Sequence, residues 1–443
     1  MAPRFQAPKG TYDVLPSRLE DPAQAKEPWT NSGSWHFLER HLHEWAKRYG
    51  FGEIRTPLFE STELFQRAVG EVTDIVGKEM YTFEDRGGRS MTLRPEGTAP
   101  CIRALLEGGR LQPGATARVY YIEPMFRYER PQAGRFRQHA QFGAEWFGSS
   151  APEAEVELIR MMWDIMSTLG LGDLKVCINS IGTAEDRQKY RQVLLDALQP
   201  KQSQLSPESQ ERLLKNPLRI LDSKHPGDQE LVAALPQLLE VASNESQGRF
   251  QRVTDLLTAL HVPYCVSPQL VRGFDYYTHT VWEIVASGIG AQSSLGGGGR
   301  YDHLVHELGG PPMPGAGFGI GIERLLSVLA QGPGLPSAKP RVDILIVSID
   351  PEASVMSMEV AGLCRRAGLA TEWQPESRKL KTALAKAAEA GIPYVLLIGD
   401  EERQQRAITW RDMSAGEQTT VSLTALPGLL KTIERVSIPT AGM

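Results

Sequence analysis

The sequence predicts an α+β protein: a strand-rich body interrupted by a helical segment and followed by a small α/β unit. Three patterns predict it. Runs of β-branched and aromatic residues, separated by turn residues, recur between about residues 81 and 147 and return after about residue 258. Strand signals vanish between about 183 and 257, where "VLLDALQ", "ELVAALPQLLEVA" and "RVTDLLTALH" read as short amphipathic helices. Beyond residue 341, "VDILIVSI", "MEVAGLCRRAG", "KLKTALAKAAEAG" and "PYVLLIGD" alternate strand and helix, the pattern of a largely parallel sheet.

Taken in order, "WHFLERHLHEWAKRYGF" places Phe37, Leu38, Leu42, Trp45 and Ala46 at helical spacing, and Gly50 supplies a stop. "GEIRTPLFE" is a short strand broken by Pro57, which belongs at an edge or bend. "EMYTFEDRGGRSMTLRPEG" is a hairpin turning at Asp85 to Gly88. "ARVYYIEPMFRYERPQAGRFRQHAQFGAEWFG" is a second strand pair with its loop around Pro131 to Gly134, and a helix follows from about Pro152 to Leu169, ended by Gly170. "LVRGFDYYTHTVWEIV" (270–285) reads as a half-buried strand. The domain boundaries expected are a body of residues 1–182 and 258–332, an insertion at 183–257, a linker at 333–340 within "GPGLPSAKP", and a terminal unit at 341–443.

Composition narrows the class. At 443 residues the chain has room for roughly three domains. An apolar content of 41% and a charged content of 23% are ordinary for a globular protein. A formal net charge of −5 gives no basic field, so nucleic-acid contact has to come from local patches. Cys101, Cys177, Cys265 and Cys364 lie far apart without a C-x-x-C pair. That argues against a zinc site or disulfide framework and fits a reducing cytosol. The N-terminal stretch has no apolar core, and no apolar run approaches bilayer length, so a cytoplasmic protein without a membrane anchor is expected. His36, His41 and His43 share no clean helical face, so packing or solvated roles are expected and no metal site.

Two nucleotide signatures are absent. "GGGG" at 296–299 precedes Arg300 rather than a Lys-Ser/Thr pair, and "GAGFGIG" spaces its glycines every second residue, which suits tight packing or turns. The informative stretch is "FRYERPQAGRFRQHAQFGAEWFG". Arg127, Arg130, Arg135 and Arg137 crowd one hairpin, where they could simply be solvated, but Phe126, Phe136, Phe142, Trp146 and Phe147 interleave with them. Guanidinium planes beside aromatic faces suit a triphosphate, a purine or nucleic acid.

Phe126 and Arg127 through Glu129, a loop, and a strand returning to Glu145 resemble motif 2 of class II aminoacyl-tRNA synthetases. "GAGFGIGIERLL", with Arg324 on its helix, resembles motif 3, and the helix and strand ending "IRTPLFE" resemble motif 1. "TLRPEGT" (92–98) and "LVRGFDYYTHT" are similar to two motifs of the histidyl-tRNA synthetase family; "EMYTF", "NSIG" and "GGGGRYDHLV" follow in the family's order. "KLKTALAKAAEAGIPYVLLIGDEE" resembles the anticodon-binding domain appended to that family. The resemblance covers nearly the whole chain.

It implies a class II antiparallel sheet flanked by helices, with a helical insertion and a C-terminal α/β anticodon-binding domain. It implies that the polar groups of "LVRGFDYYTHT" face a ligand. Histidine would lie among Glu96, Gly97, Thr98, Gln141 and Glu145, with Tyr276 and Tyr277 near the imidazole. A ligand offering an ammonium and an imidazole N–H is matched by carboxylates, an amide oxygen and phenols. Arg272 would bridge the histidine carboxylate and the α-phosphate of ATP; Arg127 and Arg324 would clamp phosphates, Glu129, Arg135 and His139 would complete the ATP site, and His139 would stack where some relatives carry phenylalanine. Arg130 and Gln132 would meet the tRNA acceptor end, and Arg378, Lys379, Lys381 and Lys386 are candidates for anticodon contact. The implied reaction consumes ATP with Mg²⁺ on the pyrophosphate and charges tRNA(His), in a homodimer. A regulatory paralogue of the family without charging activity, or a class II synthetase for another amino acid, is the rival reading. The stretch between Pro16 and Trp35 is expected to be a surface loop without chemistry.

Overall fold

The computed structural model describes residues 5–16, 27–70, 73, 75–129, 135–221, 223, 225–270, 275–286, 294–335, 342–375 and 380–433. They group into two compact units, one of Met1–Asp13 with Ser34–Leu335 and one of Val14–Gly33 with Pro336–Met443. The linker expected at 333–340 falls mostly outside the described residues, as does the middle of the stretch before Trp35. Its flanks are tied together where Leu15 donates to Thr30 O at 2.7 Å and accepts from Ser32 N at 2.9 Å.

The first unit is built on an eight-stranded sheet. Its strands run in the order Gly52–Glu53, Ala117–Phe126, Gln138–Phe147, Gly315–Gly321, Ser294–Arg300, Thr278–Ala286, Leu174–Ser180, Tyr264–Val266. The outermost pair at each edge is parallel and every pair between is antiparallel. Helix Ile322–Gln331 buries Ile322, Leu325, Leu326 and Leu329 at helical spacing, and it packs against Gln138–Phe147. Helix Pro152–Thr168 packs on Gly315–Gly321 through a similar stripe that includes Leu158, Ile159, Met162 and Ile165.

The glycine runs make the centre of this sheet possible. A Cβ on Gly298 would lie 2.1 Å from Gly317 O, and one on Gly296 would lie 2.4 Å from Gly319 O. Arg300, at the end of that run, is fully buried and structural. It donates to Glu155, to Ser149 O at 2.9 Å, to Asp302 at 2.8 Å and to Ala151 O at 3.1 Å. Arg94 and Glu123 form a second buried pair, braced by Thr56, whose amide reaches Glu123 at 2.9 Å. Removing one member of such a pair typically costs about 3–5 kcal/mol, because the other charge is left stranded.

The strand read over 270–285 begins only at Thr278. Residues 271–274 lie outside the described set, Asp275 and Tyr276 form a turn, and Tyr277 leads into the strand. The physical reason is burial. Consecutive strand residues point to opposite faces, whereas Tyr276 and Tyr277 are both buried with ring centroids 4.7 Å apart. His279 takes a positive φ of 50° as the strand starts.

The described residues of 183–259 are mostly helical. Ala184–Leu198, Pro207–Lys215, Pro226–Ala233, Leu238–Val241 and Asn244–Ala259 are α-helices. Tyr190, Leu194, Leu213, Ile220, Val232 and Leu238 form a core of their own. A three-stranded sheet, Phe59–Ser61, Ser90–Leu93 and Tyr81–Glu84, lies elsewhere in the unit. Its hairpin turn is held by Asp85, which accepts from Gly87 N at 2.8 Å and Arg89 N at 2.9 Å.

The second unit holds a five-stranded sheet in the order Thr371–Gln374, Ile344–Ser348, Tyr394–Ile398, Ala407–Asp412, Gln418–Ser422. The expectation of a largely parallel sheet needs correcting. The first three strands are parallel, but the last two form an antiparallel hairpin. Its turn is stabilised by Asp412, which accepts from Ser414 N at 2.8 Å and Ala415 N at 3.0 Å. Both faces are covered: Ile344 and Ile346 belong to one core and Leu345 and Val347 to another. That explains why "VDILIVSI" is apolar without alternation.

Candidate active site

A cleft of about 380 Å³ opens over the centre of the eight-stranded sheet. Its floor depends on missing side chains. Glu145 pairs with Gly317 across the strands, and a Cβ on Gly317 would lie 1.9 Å from Glu145 Oε2. A Cβ on Gly319 would lie 2.0 Å from Gln141 Nε2. The glycines of "GAGFGIG" thus leave the space that the acidic and amide side chains of the neighbouring strand occupy. Gly97 and Gly143 do the same for Tyr121, whose ring a Cβ would meet at 2.3 and 2.1 Å.

One end of the cleft is rich in acceptors. Glu145, 1% exposed, accepts from Tyr301 Oη–H, from Thr98 Oγ1–H at 2.8 Å and from Tyr121 Oη–H at 3.3 Å. Burial pushes its carboxyl up to about 8, against the pull of those hydrogen bonds. Glu96 is also buried, and burial raises its carboxyl too. It accepts from Thr98 N at 2.7 Å and Ala99 N at 2.9 Å, at the start of helix Thr98–Glu107. The helix N-terminus and its orphan amides favour a carboxylate there. Tyr276, Tyr277 and Tyr301 pack as an aromatic wall, with Tyr276 and Tyr301 edge to face at 5.6 Å.

The other end carries cations. Arg127 donates through Nε to Pro95 O at 2.7 Å, which fixes its plane. Glu129 stands between Arg127 at 3.8 Å and Arg135 at 3.2 Å. Arg324, at the start of its helix, donates to Ser294 O at 2.6 Å, and desolvation lowers its pKa, with Arg135 adding to the effect. His139 lies among these groups; burial, then Arg127 and Arg324, lowers it to about 3, so the ring is neutral and apolar enough to stack.

The structure therefore brings Glu96, Thr98, Gln141, Glu145, Tyr276, Tyr277, Arg127, Glu129, Arg135, His139 and Arg324 to one cleft. Gly97 does not line it and acts by admitting Tyr121. Arg272, Arg130 and Gln132 lie outside the described residues, as do Arg378 and Lys379. Sequence reasoning missed Tyr121, Tyr301, Glu283 and Ser294, which also line the cleft. It missed as well the latch at its rim, where Tyr12 donates to Glu323 and Ala140 N donates to the same carboxylate at 2.7 Å. The phase of the strands could have found Tyr121 and Glu283. No local signal marks Tyr12, which is 311 residues from its partner. His41 and His43 pack as expected, against Ile165 O at 3.0 Å and Tyr120 Oη at 2.7 Å.

An acceptor-lined end that suits a small cation thus lies beside a guanidinium-lined end that suits a polyphosphate on an antiparallel floor, the arrangement that the resemblance to class II aminoacyl-tRNA synthetases implies. Residues 31–325 match the family model for histidyl-tRNA synthetase, and residues 342–433 match that for an anticodon binding domain. The chain is 46% identical over 437 residues to a histidine–tRNA ligase of a Geobacillus species, covering 98% of this chain and 100% of that one. It is 44% identical to the histidine–tRNA ligase of Protochlamydia amoebophila, over 97% of this chain and all of the other. The crystal structure of the apo S. aureus histidyl-tRNA synthetase superimposes with a TM-score of 0.77 at 33% identity, covering 97% of this chain and 100% of that chain. The chain belongs to the histidyl-tRNA synthetase family.

Proposed function

We propose that the chain works as a histidine–tRNA ligase, activating L-histidine with ATP in this cleft and passing the histidyl group to tRNA(His). The observation that carries the reading is the acceptor set of buried Glu96 and Glu145 with half-buried Gln141, facing a separate guanidinium end. Histidine brings an ammonium and a ring N–H that add to the protein donors already on Glu96 and Glu145, and an isosteric apolar competitor lacks the ring N–H and forgoes that bond.

The histidine carboxylate oxygen attacks the α-phosphorus as the bond to the bridging oxygen breaks and pyrophosphate leaves. Arg272 is the group proposed to bridge carboxylate and α-phosphate through a bidentate fork while charge grows on the phosphoryl oxygens. Arg127, Arg135 and Arg324 hold the phosphates, and His139 stacks on the purine. Mg²⁺ would neutralise charge on the departing pyrophosphate. Glu129 and Glu283, which line the cleft, are the carboxylates that would hold the ion beside the phosphates. Arg130 and Gln132 are assigned to the acceptor end of the tRNA, and residues 342–433 to its anticodon.

The domain reading follows: a catalytic body of residues 1–182 and 258–332, an insertion at 183–257 supported by its separate core, and the anticodon-binding domain from 341. A homodimer is supported by the three-stranded sheet, where Phe59 and Phe83 are 49% and 44% exposed with rings 6.0 Å apart. The chain would act in the cytoplasm, where tRNA is charged. Arg324 in the cleft and the anticodon-domain match favour the ligase over the regulatory paralogue. The test is ATP–pyrophosphate exchange with each of the twenty amino acids. Histidine alone should support it; equal exchange with proline or threonine, or none at all, would overturn the assignment.

A further inference from the structure

Two cysteines that lie 88 residues apart in sequence meet on the sheet. Cys177 on Leu174–Ser180 and Cys265 on the edge strand Tyr264–Val266 are direct partners in the parallel register. Cys265 Sγ–H donates to Cys177 Sγ at 3.4 Å. Both are partly exposed, whereas Cys101 and Cys364 are fully buried. On its other side Cys177 is in register with Glu283, a cleft residue, so the pair stands one strand away from the nucleotide end.

We propose that Cys177 and Cys265 are a redox-active dithiol that closes reversibly to an intramolecular disulfide by exchange with a low-molecular-weight disulfide. Adjacent strands lie about 4.8 Å apart, within the roughly 4.4–6.8 Å Cα window that a disulfide requires. The sulfurs must approach from 3.4 Å to about 2.05 Å. The edge strand is only three residues long and has no outer neighbour among the described residues, so it can move by that amount. A bridge at a partly exposed position stays reducible, as suits a compartment where disulfides are transient.

Cys265 stands on the edge strand and makes the first attack, while burial raises the Cys177 thiol, with Cys265 beside it adding to the effect. Its thiolate displaces one thiolate from the small disulfide, forming a mixed disulfide on Cys265. Cys177, giving up its proton, then attacks Cys265 Sγ and releases the second small thiol. The balance is one protein dithiol and one small disulfide giving one protein disulfide and two small thiols. The alternative is an inert packed pair joined by a weak S–H hydrogen bond.

The full-length protein incubated with oxidised glutathione should lose two of its four titratable thiols and the mass of two hydrogens. Peptide mapping should recover a 177–265 cross-link that dithiothreitol removes, with Cys101 and Cys364 untouched. Cys177→Ser should instead accumulate a stable glutathione adduct on Cys265, because the resolving sulfur is gone. A persistent adduct on the unaltered chain without the cross-link, or full retention of both thiols, would overturn the proposal. Neither readout depends on ligase activity, so the result stands apart from the assignment of function.

Discussion

At the scale of single residues, Glu145 carries the most consequential chemistry. Its carboxyl is pushed up to about 8 by burial, whereas an unfolded chain releases that proton near 4.5. Between those values the folded, ligand-free protein binds more protons than the unfolded one, so stability falls as pH rises from about 4.5 to about 8 and then levels. A histidine ammonium entering the cleft supplies the counter-charge that burial removed. Histidine binding at pH 7 should therefore release a proton from this carboxyl. Calorimetry in buffers of different ionisation enthalpy measures this directly, and identical binding heats in every buffer would contradict it. The same residue shows what the sequence could disclose. Glu145 was legible through the resemblance of the hairpin that ends in its strand to motif 2 of the class II synthetases. Tyr301, which donates to it from 156 positions away, was not, because its contact exists only once three strands are in register. Cys177 and Cys265 were unreadable for the same reason, since spacing along the chain carries no information about neighbours across a parallel ladder.

At the scale of elements, long periodic helices and hairpins with explicit turn residues were legible, and the miscues came where packing overrode local pattern. The tyrosine pair delays a strand that propensity alone would start at 270. The alternating glycines of Gly315–Gly321 read as packing, and they are that, but what they make room for is the cleft itself. The helical segment offers a further case. Asp186 is 1% exposed and ties the start of helix Ala184–Leu198 to the start of helix Asn244–Ala259. It accepts from Thr183 N at 3.1 Å, Ser243 N at 2.8 Å and Ser246 Oγ–H at 2.6 Å. Burial alone would raise its pKa, but those donors win and lower it to about 2. Stability from this charge is complete above the ordinary value of 3.8 and is lost as pH falls towards about 2. Asp186→Asn turns an amide N–H₂ towards donors, so it should cost about 1.5–3 kcal/mol at pH 7. Urea unfolding of the two proteins would show the gap at neutral pH and its narrowing below pH 4. An equal gap at pH 2.5 would mean that geometry rather than charge holds the two helices.

At the scale of the whole molecule, the proposed sites of adenylate chemistry and RNA recognition separate along the chain. Every residue lining the cleft falls between Glu96 and Arg324, inside the first compact unit. The region matching the anticodon binding domain has its own sheet with apolar cores on both faces, so its stability does not depend on the cleft. Acidic and basic residues nearly balance over 341–443, and RNA contact there must use a local patch, for which Lys381 and Lys386 on helix Leu380–Glu389 are the described candidates. Lys381 and Lys386 are both exposed. A chain ending before Val342 should thus keep histidine-dependent ATP–pyrophosphate exchange within about threefold of the full protein, a difference under roughly 0.7 kcal/mol. Aminoacylation of tRNA(His) should fall far more, because binding energy from a remote part of the substrate is lost together with its positioning at the reacting end. In the full chain, Lys381→Glu with Lys386→Glu should reproduce part of that loss and reduce the salt dependence of charging, since fewer phosphates would be neutralised. If the shortened chain charges tRNA as fast as the whole, residues 342–433 serve something other than the anticodon. If it loses exchange as well, the second unit supports the cleft in a way that its separate cores do not suggest.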